Sequence, residues 1–272
     1  MRHMHITGGS FGKWLGTWLG CALLCGALYP ILLAQAGQPR PKSVDDAINE
    51  VKQGQVNPAA LQRIARAGAV DAIPVLHQQF VRTQEDLLKE AIASALVRLG
   101  DKDRSYWDFL ETHAREAVLS DAPFPVPFDT QGNTVRKQFS QEFLEWAKTN
   151  NIDPQAAATA QMQTVPAQIT FLAMTGDQRG LELLRRAMAS RNYLVQAVAA
   201  KGLAKLQDVD SVPLIITACK RAPADATALI ARSLVFFNTP QAQSAAETFI
   251  KNREVLDELR KISSDKGADA LF

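Results

Sequence analysis

Reactive side chains are scarce in this chain of 272 residues. It has 3 cysteines and 4 histidines. Cys21 and Cys25 sit in an apolar N-terminal stretch, and only Cys219 follows, so the body of the chain has no cysteine pair for an internal disulfide or a zinc site. Beyond the first five residues the histidines are His77 and His113, and neither belongs to an H-E-x-x-H pair. G-x-S-x-G, the P-loop and G-x-G-x-x-G are all absent. Ser263-Ser264-Asp265-Lys266 spells S-x-x-K, but no S-D-N or K-T-G accompanies it, so chance explains it. Cys219 ends the run LIITAC with no histidine near it in sequence, the setting of a buried, inert thiol. Glu142 and Glu145, three apart on one predicted helix, fit a solvated face better than an acid–base pair, because such pairs usually face each other across a cleft. The reading is therefore no catalytic residue, no metal and no cofactor.

Alternating β-branched runs are nearly absent, and aromatics are 7% of the chain. Hydrophobic residues make up 47%, enough for a sizeable core, and glycine and proline are not in excess, which excludes global disorder. Alanine and leucine dominate, with scattered Lys, Arg, Glu and Gln, all strong helix formers. The predicted class is all-α.

Charge of either sign is missing from the N-terminus except for Arg2 and Lys13. Residues 14–34, WLGTWLGCALLCGALYPILLA, are mostly apolar, and Ala34-Gln35-Ala36 is a small-x-small cleavage site. A basic start, an apolar middle and an A-x-A end predict a signal peptide over residues 1–36. The stretch is also long enough to span a bilayer, so an uncleaved anchor over 14–34 is the competing expectation. Gly8, Gly12, Gly16 and Gly20 recur at a spacing that lets membrane helices approach closely. A lipid-modified cysteine fits less well, because Trp18-Leu19-Gly20 puts no aliphatic residue three before Cys21. Either way the body is expected to be exported, into the periplasm or the medium, or held on the membrane. The chain has 30 basic and 28 acidic residues, and the leader holds two of the bases and no acid, so the exported body is formally neutral. That balance speaks against nucleic acid as the partner.

Residues 37–43, GQPRPKS, read as a linker. Ser43 is a predicted N-cap ahead of Asp45 and Asp46, Asn57-Pro58 starts a second helix, and Gly68 stops it. From there the chain repeats itself over residues 69–101, 177–208 and 208–239, each block the size of one helical-repeat unit. Every block has a shorter helix, a polar turn and a longer Ala-rich helix. In the second helices Ala91, Ile92, Ala95, Leu96 and Leu99 align with Val198, Ala199, Gly202, Leu203 and Leu206. They align equally with Leu229, Ile230, Ser233, Leu234 and Phe237. These are i, i+1, i+4, i+5, i+8 positions, one helical face.

Ala72-Ile73-Pro74-Val75-Leu76 and Ser211-Val212-Pro213-Leu214-Ile215 resemble the first-helix signature of the HEAT repeat family, in its PBS-lyase HEAT-like form. KEAIASALVRLGD and VQAVAAKGLAKLQD resemble its second helix with a closing aspartate. The middle block departs by carrying Glu182 where the proline would stand, and the third ends in Asn238-Thr239. The resemblance implies an α-solenoid of stacked antiparallel helix pairs over residues 44–272, each unit burying its face against its neighbours.

Between the first two blocks the pattern degenerates. Residues 104–119 and 135–150 each carry an apolar stripe at helical spacing, and 153–175 form one or two further helices, broken near Pro166. The intervening SDAPFPVPFDTQGNT, residues 120–134, is expected to join a first helix to a second as an irregular insertion. Tyr106, Trp107, Phe109, Phe124, Phe128, Phe139, Phe143 and Trp146 concentrate the aromatics there. They form either a local core or a recognition lip, since loop aromatics anchor interfaces. After the third block a helix over 240–250 and a charged segment from Lys251 complete the array, and SSDKGADALF is expected to fray.

The expected function is a non-catalytic binding or scaffold protein that presents a helical surface to a protein partner. Candidate partner-binding residues are Phe124, Phe128 and Asp129 in the insertion, and Arg185, Arg186 and Arg191 in a basic stripe of the second block. Two alternatives stand beside it. One is an enzyme or enzyme subunit of the HEAT-like lyase type or of envelope-polymer metabolism. The other is a membrane-anchored assembly factor that uses the leader glycines.

Overall fold

The computed structural model describes residues 43–119, 139–163 and 165–272. The leader, the linker up to residue 42 and the insertion 120–134, with Phe124, Phe128 and Asp129, lie outside the described residues. Among those described there is no strand, and no helix is long and apolar enough to cross a membrane.

The helices begin and end where local chemistry dictates. In α1 (Val44–Lys52) the Ser43 hydroxyl accepts from the Asp46 N–H at 3.0 Å, and the Asp46 carboxylate accepts from the Ser43 N–H at 3.0 Å, a reciprocal capping box. In α2 (Pro58–Ala67) the Asn57 side chain accepts from the Ala60 N–H at 2.8 Å, and Pro58 occupies the first turn, where no N–H is needed. Gly68 ends that helix at φ 64°, a left-handed cap that returns its N–H to Ala65.

The remaining helices form pairs. α3 (Ile73–Arg82) pairs with α4 (Asp86–Arg98), α9 (Leu181–Ala187) with α10 (Tyr193–Lys205), and α11 (Val212–Arg221) with α12 (Ala224–Ala231). These are the three repeating blocks of the sequence. A short 3-10 turn opens each one: Val70–Ala72, Gln178–Gly180 and Val209–Ser211. α13 (Pro240–Phe249) and α14 (Arg253–Lys266) complete the array, α14 packing on the 3-10 turn Arg232–Phe236 that continues α12.

The degenerate unit is built differently from its expectation. α5 (Arg104–Leu119) does not take the helix over 135–150 as its partner. Its partner is α8 (Val165–Thr175), with α6 (Gln141–Thr149) and α7 (Pro154–Gln163) set between them in the chain. The reason lies in the composition of α8, VPAQITFLAMT, which is apolar around its circumference and so must be covered on several sides. Position in the array supplies that cover: α4, α5 and α10 all pack against it.

Two layers result. The second helices follow one another through contacts of α2 with α4, α4 with α8, α8 with α10, and α10 with α12. The first helices lie against them, with α1 touching α3, α5 touching α9 and α11 touching α13. Each inner second helix is flanked by neighbours on two sides and its own first helix on a third, so its residues must be small or aliphatic. Ala91, Ile92, Ala95, Leu96 and Leu99 are all buried, and so are Leu229, Ile230, Ser233, Leu234 and Phe237. At Gly202 an added Cβ would come within 2.9 Å of Ala173 Cβ and of a Leu184 methyl, so the missing side chain is what allows α10 to approach α8 and α9. The Ser94 hydroxyl donates to the Phe171 carbonyl at 2.7 Å and ties α4 to α8. Each fully buried Leu or Ile of this seam contributes about 1.5–3 kcal/mol of transfer free energy.

The segment expected to fray is packed. α14 continues through Ser263 to Lys266, and Gly267–Leu271 forms a 3-10 turn lying against α10 and α14. Leu271 and Phe272 are 7% and 6% exposed. Apolar packing into the main core, with hydrogen bonds from Gln62 and Arg66 of α2 to Phe272, overrides the polar local composition.

Candidate functional site

The excursion α6–α7 builds a second, separate core. The Ser140 hydroxyl caps α6 by accepting from the Phe143 N–H at 3.2 Å. Phe143 and Ala158 are buried there, with Phe139, Trp146, Ala157 and Leu194 packed around them. The Phe143 ring lies 5.4 Å from Phe139 and 5.7 Å from Trp146, nearly parallel to the latter. Leu194, on α10, is the point where this small core meets the array. Phe139, Phe143 and Trp146 therefore form a local core, while Phe124 and Phe128, on which the recognition-lip reading rests, lie outside the described residues.

Packing α6 beside the first turns of α10 leaves a cleft of ≈ 480 Å³. Among the described residues it is lined by Glu142 and Trp146 of α6, by Met188 to Arg191 of the turn after α9, by Tyr193 and Gln196 of α10, and by Leu214, Thr217, Ala218 and Arg221 of α11. Three elements of different units thus meet at one place. Burial raises the Glu142 carboxyl above its ordinary range, with Asp225 and Glu145 adding to the effect. Burial likewise raises the Tyr193 phenol, helped by Glu142. Arg191 and Arg221 supply the positive side of the cleft. Gln196 donates to the Ser190 carbonyl at 2.5 Å, while its buried Oε1 accepts no hydrogen bond among the described residues. A cleft with guanidinium groups, an indole face and amide and phenol groups suits a polypeptide segment carrying an acidic and an apolar side chain.

The arginines singled out from the sequence separate. Arg191 lines the cleft. Arg186 is exposed on the last turn of α9. Arg185 is tied inside its unit: its guanidinium donates to both oxygens of Asp208, at 3.0 and 2.7 Å, and to the Ser211 hydroxyl at 3.2 Å. His77 stands at the equivalent place of the first block and meets Asp101 at 2.5 Å. The closing aspartate of a block therefore clamps its own first helix, through Arg185 in the second block and His77 in the first. In the third block Ile216 and Thr239 occupy the two positions, and Thr239 caps α13 instead. Trp146 and Glu142 stood out in the sequence for other reasons. Tyr193, Gln196 and Arg221 carried no signal, because they meet only through the packing of two units.

Two further titratable groups, Glu90 and Cys219, are buried. Glu90, 1% exposed, meets His113 Nδ1 at 2.6 Å across α4 and α5, and burial pushes its carboxyl up to about 7. The ring series His77, Tyr106, Phe80, Phe109, His113 runs along the same seam at centroid spacings of 4.3–5.6 Å. Cys219 is buried, and burial pushes its thiol up to about 12, far from a nucleophile's range. Among the described residues no group of three or more His, Cys, Asp or Glu side chains could hold a metal ion.

With the geometry established, one comparison identifies the repeat. The family model of the PBS lyase HEAT-like repeat matches residues 195–221. This window is a HEAT-like repeat. The matched window runs from α10 through the 3-10 turn into α11, the second helix of one block and the first helix of the next. It contains Gln196 and ends on Arg221, so the HEAT-like register passes along one wall of the cleft. No curated protein matches the chain.

Proposed function

We propose that this is an exported, non-catalytic HEAT-like binding protein whose α6 cleft receives a segment of a protein partner. One observation carries the reading. The array departs from its repeat at α6–α7, and that departure creates a cleft lined with two arginines, Trp146 and Tyr193. HEAT-like repeats supply a rigid frame with no chemistry of its own, and the excursion supplies individuality. The polar groups found together here suit recognition: Glu142, Tyr193 and two arginines line one cleft, and the buried thiol and the histidines lie elsewhere. Export rests on the leader, with its basic start, apolar middle and Ala34-Gln35-Ala36 site.

The test places a photo-activatable amino acid at Trp146 in cells that make the full chain, with a control position at Glu254, exposed on α14. A discrete cross-linked species from position 146 only, lost on Arg191→Glu/Arg221→Glu, is expected. Equal cross-linking from both positions, or a species indifferent to the charge reversal in a folded chain, refutes the cleft. N-terminal sequencing of the purified protein from Gly37 checks export by cleavage. Retention of residues 1–36 in the envelope fraction supports the anchored form instead.

A further inference from the structure

The second-helix layer carries a run of cations that the chain only partly neutralises. Arg66 on α2, Arg98 on α4 and Lys205 on α10 converge, although they belong to three units spread over 140 residues of sequence. The carboxylate that meets them is Asp269, from the 3-10 turn after α14. It accepts from Arg98 at 3.0 Å and pairs with the Lys205 ammonium. Lys201, one turn before Lys205, has Arg232 as its charged neighbour and no carboxylate among the described residues. Arg98 and Lys205 thus share one acid, with Arg66 close by.

The turn that brings Asp269 there behaves as a bound peptide. Its main chain is held at the far end, where Gln62 and Arg66 of α2 donate to the Phe272 carbonyl, the latter at 2.5 Å. Its apolar side chains, Leu271 and Phe272, are buried against the array. It leaves α14 through Gly267, at φ 62° and ψ −163°, a conformation open to glycine, with free space where a Cβ would be. A cavity of ≈ 540 Å³ lies beside Gly267 and Ala268, bordered by Arg260 and Ser263. Charge, apolar burial and main-chain bonding are the three parts of a peptide-recognition site, and a glycine hinge joins the occupant to the body.

We infer that the second-helix face around Arg66, Arg98 and Lys205 is a docking groove for a partner's acidic peptide of Asp-x-Leu-Phe chemistry, closed in the resting chain by residues 267–272. The strap is the internal competitor. An incoming segment with the same aspartate and the same apolar pair replaces its contacts one for one, and a second acid would find Lys201. Held close by its hinge, the strap has a high effective concentration, so an external peptide binds weakly until the strap is released. The groove is distinct from the α6 cleft and does not rest on the function proposed for it.

The test uses the full chain, wild type and with Asp269→Ala/Leu271→Ser/Phe272→Ser, and a fluorescein-labelled peptide Gly-Ala-Asp-Ala-Leu-Phe followed by anisotropy. The released chain is expected to bind at least about tenfold more tightly than wild type, and to weaken several-fold as NaCl rises from about 50 to about 300 mM. Adding Arg98→Ala/Lys205→Ala to the released chain, or replacing the peptide's aspartate by alanine, should each cost about tenfold. Arg191→Glu/Arg221→Glu should leave this binding unchanged. A folded released chain that ignores about 1 mM peptide overturns the inference, as does equal binding by wild type. Should the released chain fail to fold, hydrogen exchange of the wild-type protein decides. Excess peptide should speed exchange across residues 267–272 while α2 and α4 remain protected, and unchanged exchange there refutes the groove.

Discussion

The inner helices α8 and α10 and the excursion helices α6 and α7 were built from similar amounts of sequence and do opposite things. α8 and α10 are covered on several sides, packed with Ala, Val, Leu and a glycine where a methyl would collide. α6 buries Phe143 and Ala147, exposes Glu142, Leu144 and Glu145, and meets the array mainly through Leu194. The first pair is interchangeable material for a repeat. The second is centred on Phe143 and Trp146 of α6 and opens a cleft. In a solenoid each unit is stabilised by its neighbours, so a segment that leaves the stack gives up cover and gains a surface of its own.

That contrast can be broken most strongly from the inner side. Leu203→Ala removes a fully buried side chain of α10 and should lower global stability by about 2–5 kcal/mol, read as one cooperative shift in urea unfolding. Preserved stability would mean that α10 is not the packed centre described.

Glu90 should sharpen the same comparison through pH. Its folded-state carboxyl lies at about 7, above the ordinary 4.5, because burial outweighs the opposing help from His113. The folded chain therefore holds a proton that the unfolded chain releases. The stability this contributes is full below about pH 4.5 and is lost as pH rises through about 7, roughly 3 kcal/mol at 1.36 per unit. Glu90→Gln should flatten that slope and leave the variant more stable than wild type at pH 8. Parallel melting curves from pH 4 to pH 8 would contradict the assignment.

Lys201 gives an effect of the opposite slope. Burial, then Arg232, pushes its ammonium down to about 7 from 10.5. Below about pH 7 the fold carries the full cost of the charge, and stability recovers as pH rises from there toward 10.5. Lys201→Met should stabilise by about 1–3 kcal/mol at pH 6 and much less at pH 10. A destabilised variant at pH 6 would show that the ammonium has a favourable partner.

Much of the frame was readable beforehand, because its causes are local. Ser43, Asn57-Pro58 and Gly68 mark helix ends through bonds to residues three or four away. The aligned faces of the second helices follow from period alone. The pairing of α5 was misread, since an apolar stripe over 135–150 looks like a second helix while deciding nothing about partners. The better signal was the uniform apolarity of α8, which only a buried central helix can carry. The 263–272 segment was misread for a related reason. Ser, Asp, Lys and Gly suggest solvent, and nothing nearby in sequence announces that Arg98, Lys205 and Gln62 await it. The cleft was legible only in fragments: Trp146 and Arg191 stood out, whereas Tyr193, Gln196 and Arg221 acquire meaning when two units stack.

The mildest substitution for the array is the most severe for the cleft. Phe143→Ala empties the centre of the small core and leaves the main core untouched. Native-state hydrogen exchange on wild type and Phe143→Ala separates the two regions directly. α6 and α7 should lose protection in the variant while α8 and α10 keep theirs within about 0.5 kcal/mol. Loss of protection in α8 and α10 together with α6 would show one cooperative unit, and would contradict a frame that carries its recognition element as a separate part.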